Sequence, residues 1–385
     1  NYNVVVGDEA GTAITTGDYN VSVGYSAGVA VTTGVQNTLI GSLAGDAIDT
    51  GDENVTVGYN SLTTNTKSFY NVAVGNSALA AHNLTSDAAG YNTGIGHNAG
   101  AAVTTGVNNT FIGALTGDAT TTADSNTAVG YASLSTNTTG ANAAFGVQCL
   151  YYNTTGNLNT AVGRYGAMHK NTTGSSNVAL GEQALFENTT GDYNVAVGAL
   201  ALDNASTADN NVAVGHASLT ANTTGEENVA SGTSALYYNT TGIGNVGLGY
   251  QTLYYNTTAS NNVAVGKNAL LVNTTGASNT AVGALALDAN TTASYNTAVG
   301  SAAAGANTTG AVNTAVGYHS LTLNTTGTAN VALGAYALAA NTTADYNTAV
   351  GYTSLYVNTT GTGNSALGKG SLDANTTGSY NVAVG

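Results

Sequence analysis

The segment NVALGEQALFENTTGDY, residues 177–193, decides the fold, because NTAVGALALDANTTASY, residues 279–295, repeats it and so does most of the chain. The unit reads Asn-[Val/Thr]-Ala-Val-Gly-x-x-[Ala/Ser]-Leu-x-x-Asn-Thr-Thr-Gly-x-x and is seventeen residues long. Its Asn-x-x-x-Gly element occurs twenty-three times, from Asn3 to Gly7 through Asn381 to Gly385, and nineteen of the twenty-two spacings are seventeen. The exceptions are twenty-one from Asn71 to Asn92, sixteen from Asn126 to Asn142, and eighteen from Asn159 to Asn177. A period of this size, held over 385 residues, is the signature of a solenoid in which each repeat is one coil stacked on the last. The expectation is an all-β, single-chain parallel β-solenoid, one continuous domain over residues 1–385 of about 23 coils. Because the sequence begins and ends inside a repeat, the expectation is also that it is part of a longer fibre protein.

Within the Asn-x-x-x-Gly element the fourth residue is Val, Ile, Leu or Phe in every copy except Ser231, and the second is Val or Thr in all but Ala143 and Ser365. Two rows of strand-favouring residues at period two share one face, and this face is expected to point inward, with Val197 and Val214 in the core. Leu185, Leu219, Leu253 and Leu321, four residues after the glycine on an expected second strand, would complete that core. The third residue is Ala in every copy from Ala128 onward except Gly247, and it would then point outward. A seventeen-residue coil encloses only about three apolar side chains, each contributing roughly 1.5–3 kcal/mol, against an ordering cost of roughly 1–2 kcal/mol per residue. A further buried face is therefore expected, and the Ala row, including Ala179, Ala196, Ala213, Ala264 and Ala332, is the candidate contact between chains.

The Leu row is often Gly in the N-terminal third (Gly11, Gly28, Gly45, Gly100), and in those coils Ile14, Val31, Ile48 or Val103 stands where other coils have the Asn of Asn-Thr-Thr. This reads as one apolar side chain per coil supplied from either of two places, with Gly117 and Thr120 as the exception. It also implies that the Asn of Asn-Thr-Thr points inward. Fourteen such triplets fit the glycosylation sequon. The interior placement instead favours a ladder in which Asn153, Asn188, Asn239, Asn273 and Asn324 bond amide to amide along the stack, unglycosylated.

The composition fits stacking. Equivalent positions recur at about 4.8 Å, so a repeated charge would face its own copy and destabilise the sheet. Only five Lys plus Arg occur, and no Pro. A net charge of −15 argues against nucleic acid or an anionic membrane surface as partner, and no apolar run is long enough to span a bilayer. The single Cys149 cannot form an internal disulfide and reads as a small apolar residue in a coil.

Residues for chemistry are sparse. His82, His97, His169, His216 and His319 lie in different coils without ligand spacing, and no paired carboxylates recur. The acidic stretch Asp49–Glu53 and the loop around Asp87 lack a calcium-roll nonapeptide and read as solvated turns. No catalytic residue, cofactor or metal site is expected, and an enzyme is not. The pairs Tyr151–Tyr152, Tyr237–Tyr238 and Tyr254–Tyr255 are expected to stack from turn to turn, or to present an aromatic face to sugars.

The repeated Asn-[Thr/Ser/Val]-Ala-[Val/Ile]-Gly followed by x-x-[Ala/Ser]-Leu resembles the head repeats of YadA-like trimeric autotransporter adhesins, and the longer form ending Asn-Thr-Thr-Gly resembles repeats of bacteriophage tail-fibre proteins. The resemblance covers essentially the whole chain. It implies a left-handed β-roll, three chains side by side, projecting from a cell or virion surface to mediate attachment to a surface glycan or protein receptor. The coil is longer than that of the adhesin head, and no neck, stalk or anchor is visible, which favours a fibre shaft. Alternatives are an extracellular filament of subunits stacked end to end, and an ice- or glycan-binding repeat protein.

Overall fold

The computed structural model describes residues 2–385, and among them are parallel strands and turns but no helix. The chain divides into two compact units, Asn1–Tyr193 and Asn194–Gly385. In the first, eleven strands from β1 (Val4–Val6) to β11 (Val178–Leu180) each pair in parallel with the next, joining equivalent residues of successive repeats, such as Val4 with Val21 and Ala161 with Ala179. The second carries twelve strands, β12 (Val195–Val197) to β23 (Val382–Val384), in the same register, Ala196 opposite Ala213 and Ala366 opposite Ala383. Each unit is thus a β-solenoid with one short strand per coil.

The strand ends at the glycine of the element, where φ is near +130° (Gly215, 129°; Gly266, 126°), a region open to glycine. A Cβ on Gly249 would also meet the backbone of Gly266 in the next coil at 3.0 Å, so the corner leaves no room for a side chain. The expected second strand does not form. The Leu row lies in a turn with left-handed φ (Leu185, 52°; Leu219, 52°), as does the residue two before it (Gln183, 55°; Ala217, 53°). Coil-to-coil bonding persists there without strand geometry: the Leu202 N–H donates to the Ser218 carbonyl at 3.0 Å and Leu219 to Ala235 at 3.0 Å. Nearly every turn therefore needs its N–H, which accounts for the absence of proline.

The core inverts the expected faces. Ala179, Ala196, Ala213, Ala264 and Ala332 are fully buried inside their own coils and cannot be the contact between chains, whereas Val214 is 38 % exposed and Val197 only partly covered. Leu185, Leu219, Leu253 and Leu321 are fully buried, as expected. The interior is a narrow slot between strand and Leu-bearing turn, filled by the Ala row, the Leu row and the small residue before the Leu (Ala184, Ala201, Ser218). One methyl from the strand and one Leu from the turn fill it; two β-branched rows facing inward would overpack it.

The irregular spacings are absorbed locally. Between β5 (Val72–Val74) and β6 (Thr93–Ile95) the register is unbroken, Val72 opposite Thr93, and the extra residues emerge as exposed Thr85, Ser86 and Asp87, as expected. The long spacing after Asn159 lengthens β10 (Thr160–Tyr165), which pairs with β9 (Ala143–Val147) through a register shift between Val162 and Tyr165; beyond it Met168 fills the Leu site.

Candidate functional site

No pocket gathers reactive groups: among the described residues no three His, Cys, Asp or Glu side chains converge as a metal ion would require. No helix there is long and apolar enough to cross a membrane. The candidate sites are surfaces built by repetition.

The first is the outer face of the strands. With the Ala row inward, period-two alternation turns the second and fourth residues of every element outward. In the second unit they read Val212 and Val214, Thr280 and Val282, Thr297 and Val299, and Thr314 and Val316, coil after coil without a charge or an amide. The fourth-residue row is open to solvent at Val214, Leu248, Val282, Val299, Val316 and Leu333. A contiguous uncharged face of this kind is a candidate interaction surface. Sequence reasoning paired the two rows on one face correctly and then buried that face.

The ladder asparagines do not offer a modification surface. Asn153, Asn188, Asn239, Asn273 and Asn324 are fully buried. Asn239 Nδ2 donates to Asn222 Oδ1 at 2.9 Å and to the Gly242 carbonyl at 3.1 Å, and Asn324 Nδ2 to Asn307 Oδ1 and the Gly327 carbonyl at 2.8 and 2.9 Å. Both amide hydrogens are used, so the sequon is a by-product of the ladder and its turn. A second ladder, not anticipated, runs along the first Asn of the repeat: Asn228 Oδ1 accepts from the Asn245 backbone N–H at 2.9 Å and its Nδ2 at 3.1 Å, while Asn245 Nδ2 also reaches the Ala259 carbonyl at 2.8 Å. Its signal was the invariance of that Asn in all twenty-three elements.

Aromatic columns form the remaining surface. Tyr237 stacks on Tyr254 at 5.3 Å and Tyr238 on Tyr255 at 5.5 Å, and Tyr151, His169 and Phe186 form a stack in the first unit. Tyr238 and Tyr255 line a shallow groove with Thr240, Thr257 and Thr274, whose hydroxyls bond the following coil. A second aromatic group joins Tyr318 and Tyr352 of one column, His319 stacked on Tyr336 at 5.8 Å in another, and Tyr356 of a third; its contacts between columns were invisible to the repeat pattern. Burial, and then the neighbouring Tyr318 phenol, raise the Tyr336 pKa above the usual tyrosine value.

His82 stands in the ladder position of its coil, fully buried, with Nε2 3.1 Å from Ser68 Oγ. Burial lowers its pKa to about 4, opposed by a bond with the Thr104 backbone. Cys149 is buried in the small-residue row, its Sγ 3.4 Å from the Phe145 and Gly163 carbonyls, and burial raises the thiol pKa. Neither group lines an opening.

Compared with known proteins, the chain matches no family model and no curated protein.

Proposed function

We propose that this protein is a structural and adhesive fibre shaft, extracellular on a virion or cell surface, in which copies of the chain associate side by side through the outer strand face. The observation that carries the reading is the pair of uncharged Val/Thr and Val rows left open by a coil that buries its Ala row. Three residues at about 3.3 Å and coils at about 4.8 Å give the twelve strands of the second unit roughly 600 Å² of such surface, and the first unit a similar area. A specific interface takes roughly 600–1,000 Å² per partner, a range that one unit alone reaches. A second copy is the fitting occupant, because its identical repeat has the same corrugation and its rows the same lack of charge. The number of copies, three, follows the resemblance to trimeric adhesin heads.

Sedimentation equilibrium tests the reading. The expected result is a particle of three chain masses that Val265→Glu with Val282→Glu converts to a folded monomer. A wild-type monomer that stays soluble with this face open would overturn it. A further reading, ordering of water by the array of Thr280, Thr297 and Thr314 hydroxyls beside valine methyls, would then be favoured, and thermal hysteresis would test it.

A further inference from the structure

The two outward rows of the strand face each carry one misfit in size, and both misfits fall in the same coil. Phe145 is the single aromatic residue among the twenty-three fourth-row positions, and Ala143 the single alanine among the twenty-three second-row positions. Both lie on β9 and point out of the coil, so this exchange of volume does not serve the coil's own packing. Phe145 is 39 % exposed. Beside Ala143 the surface is hollow, where the sixteen-residue spacing leaves one residue out of the turn before Asn142. The recess measures about 290 Å³; Ala141 and Ala143 lie in it between Ser125 and Thr127 of the preceding coil and Leu158 and Thr160 of the following one. Leu158 is 65 % exposed, and a second recess of about 380 Å³ adjoins the first through Ser125, Ala141 and Leu158.

We propose that Phe145 of one copy seats in this recess of a neighbouring copy, and that the contact sets the copies parallel and in register. It rests on the side-by-side association proposed above. Two such faces laid together with their axes parallel bring the fourth row of one against the second row of the other. With axes antiparallel each row meets its own kind, and Phe145 would stand opposite Phe145. Only the parallel arrangement without stagger gives every Phe145 a recess, and this holds for two copies or three. The sizes agree: Thr127 and Thr160 lie two coil steps apart, roughly 9.6 Å, and a ring touching both sides needs roughly 7–8 Å. No charged side chain lines the recess, so the ring is not seated against a buried charge. Elsewhere the rows are nearly uniform Val, Thr, Ile and Leu, and a slip of one coil would change little; at β9 it would drive the ring against Thr127 or Thr160.

Sedimentation of the full chain tests the contact together with electron paramagnetic resonance distances between spin labels. The labels are placed at Thr33→Cys, with Cys149→Ala, the residue most coils carry in that row. Thr33 is exposed in a turn seven coils before β9. Parallel copies in register hold the labels at one level, separated only by the width of the assembly, whereas antiparallel copies crossing at β9 hold them roughly 67 Å apart along the axis. Phe145→Ala should weaken association about tenfold or more, and Ala143→Phe should do the same by filling the recess. The double variant moves the ring to the opposite row and should recover most of the loss. Both side chains point outward, and circular dichroism checks that the coils remain folded; the label distance carries the test with Phe145 and Ala143 intact. Association with distant labels, association unchanged by Phe145→Ala, or a double variant no stronger than the single ones would each overturn the contact and leave the side-by-side shaft standing. A wild-type monomer in sedimentation would overturn both.

Discussion

Phe111 occupies the space that a leucine would take at Gly117. Phe111 is in the Ala row and fully buried, Gly117 is in the Leu row of the same coil with φ 58°, and a Cβ there would overlap the Phe111 ring. Gly100, one coil earlier, lies against the other side of the ring, where an added Cβ would stand 2.9 Å from it. Leu39 sits similarly between Gly28 and Gly45. This explains why Gly117 is followed by Thr120 rather than an apolar residue: the aromatic ring already supplies the volume.

Gly117→Leu should therefore destabilise the first unit by about 1–3 kcal/mol through overpacking, and Phe111→Ala by about 3–5 kcal/mol through the cavity it leaves. The double variant restores the common Ala and Leu pair and should be more stable than either single one. Denaturant midpoints check this; additive losses would show that the two residues do not share one space.

Ala213 and Val214 are neighbours with opposite roles. Ala213→Phe should unfold its coil, since the residue is enclosed between strand and turn. Val214→Asp should leave the coil folded and weaken association. Circular dichroism with sedimentation separates the two, and a folded Ala213→Phe variant that had merely lost association would reinstate the outward Ala row.

His82 makes stability depend on pH. Its folded pKa of about 4 lies below the unfolded value near 6.5, so the unfolded chain binds more protons between them and stability falls as pH drops through that window. The loss approaches roughly 3 kcal/mol below pH 4. His82→Asn, which restores the usual ladder residue, should remove this component while leaving that of the carboxylates. Hydrogen exchange in β5 and β6 at pH 7 and 4.5 is the measurement, and an identical pH response in both proteins would rule the mechanism out.

Ser22 and Thr56 stand in the Ala row with hydroxyls that are buried and find no hydrogen-bond partner. Ser22→Ala and Thr56→Ala should each stabilise the first unit by about 1–2 kcal/mol, less any loss of methyl packing at Thr56. Thermal unfolding would show it, and a lowered midpoint for Ser22→Ala would mean that the hydroxyl is satisfied in solution.

The aromatic group around Tyr336 illustrates what a repeat pattern conceals. Tyr318 and Tyr352 share one column, but Tyr336 and Tyr356 belong to two others, and their meeting depends on how the left-handed residues bend the turn. Columns such as Tyr237 with Tyr254 were legible because a seventeen-residue step places like over like.

The sequence by itself determined the parallel stack, the Asn-Thr-Thr ladder, the exchange of Gly28, Gly45 and Gly100 against apolar partners, and the outward bulge before Asn92. All follow from translation by one coil, which brings each residue onto its own copy whatever the shape of the coil. It could not determine which side of Val-Ala-Val faces in, because alternation groups the two Val rows without giving them a direction. Tertiary structure decided that. The turn carrying Leu185 or Leu219 approaches the strand so closely that only a methyl fits between them, so the Ala row closes the core and the branched rows are left outside.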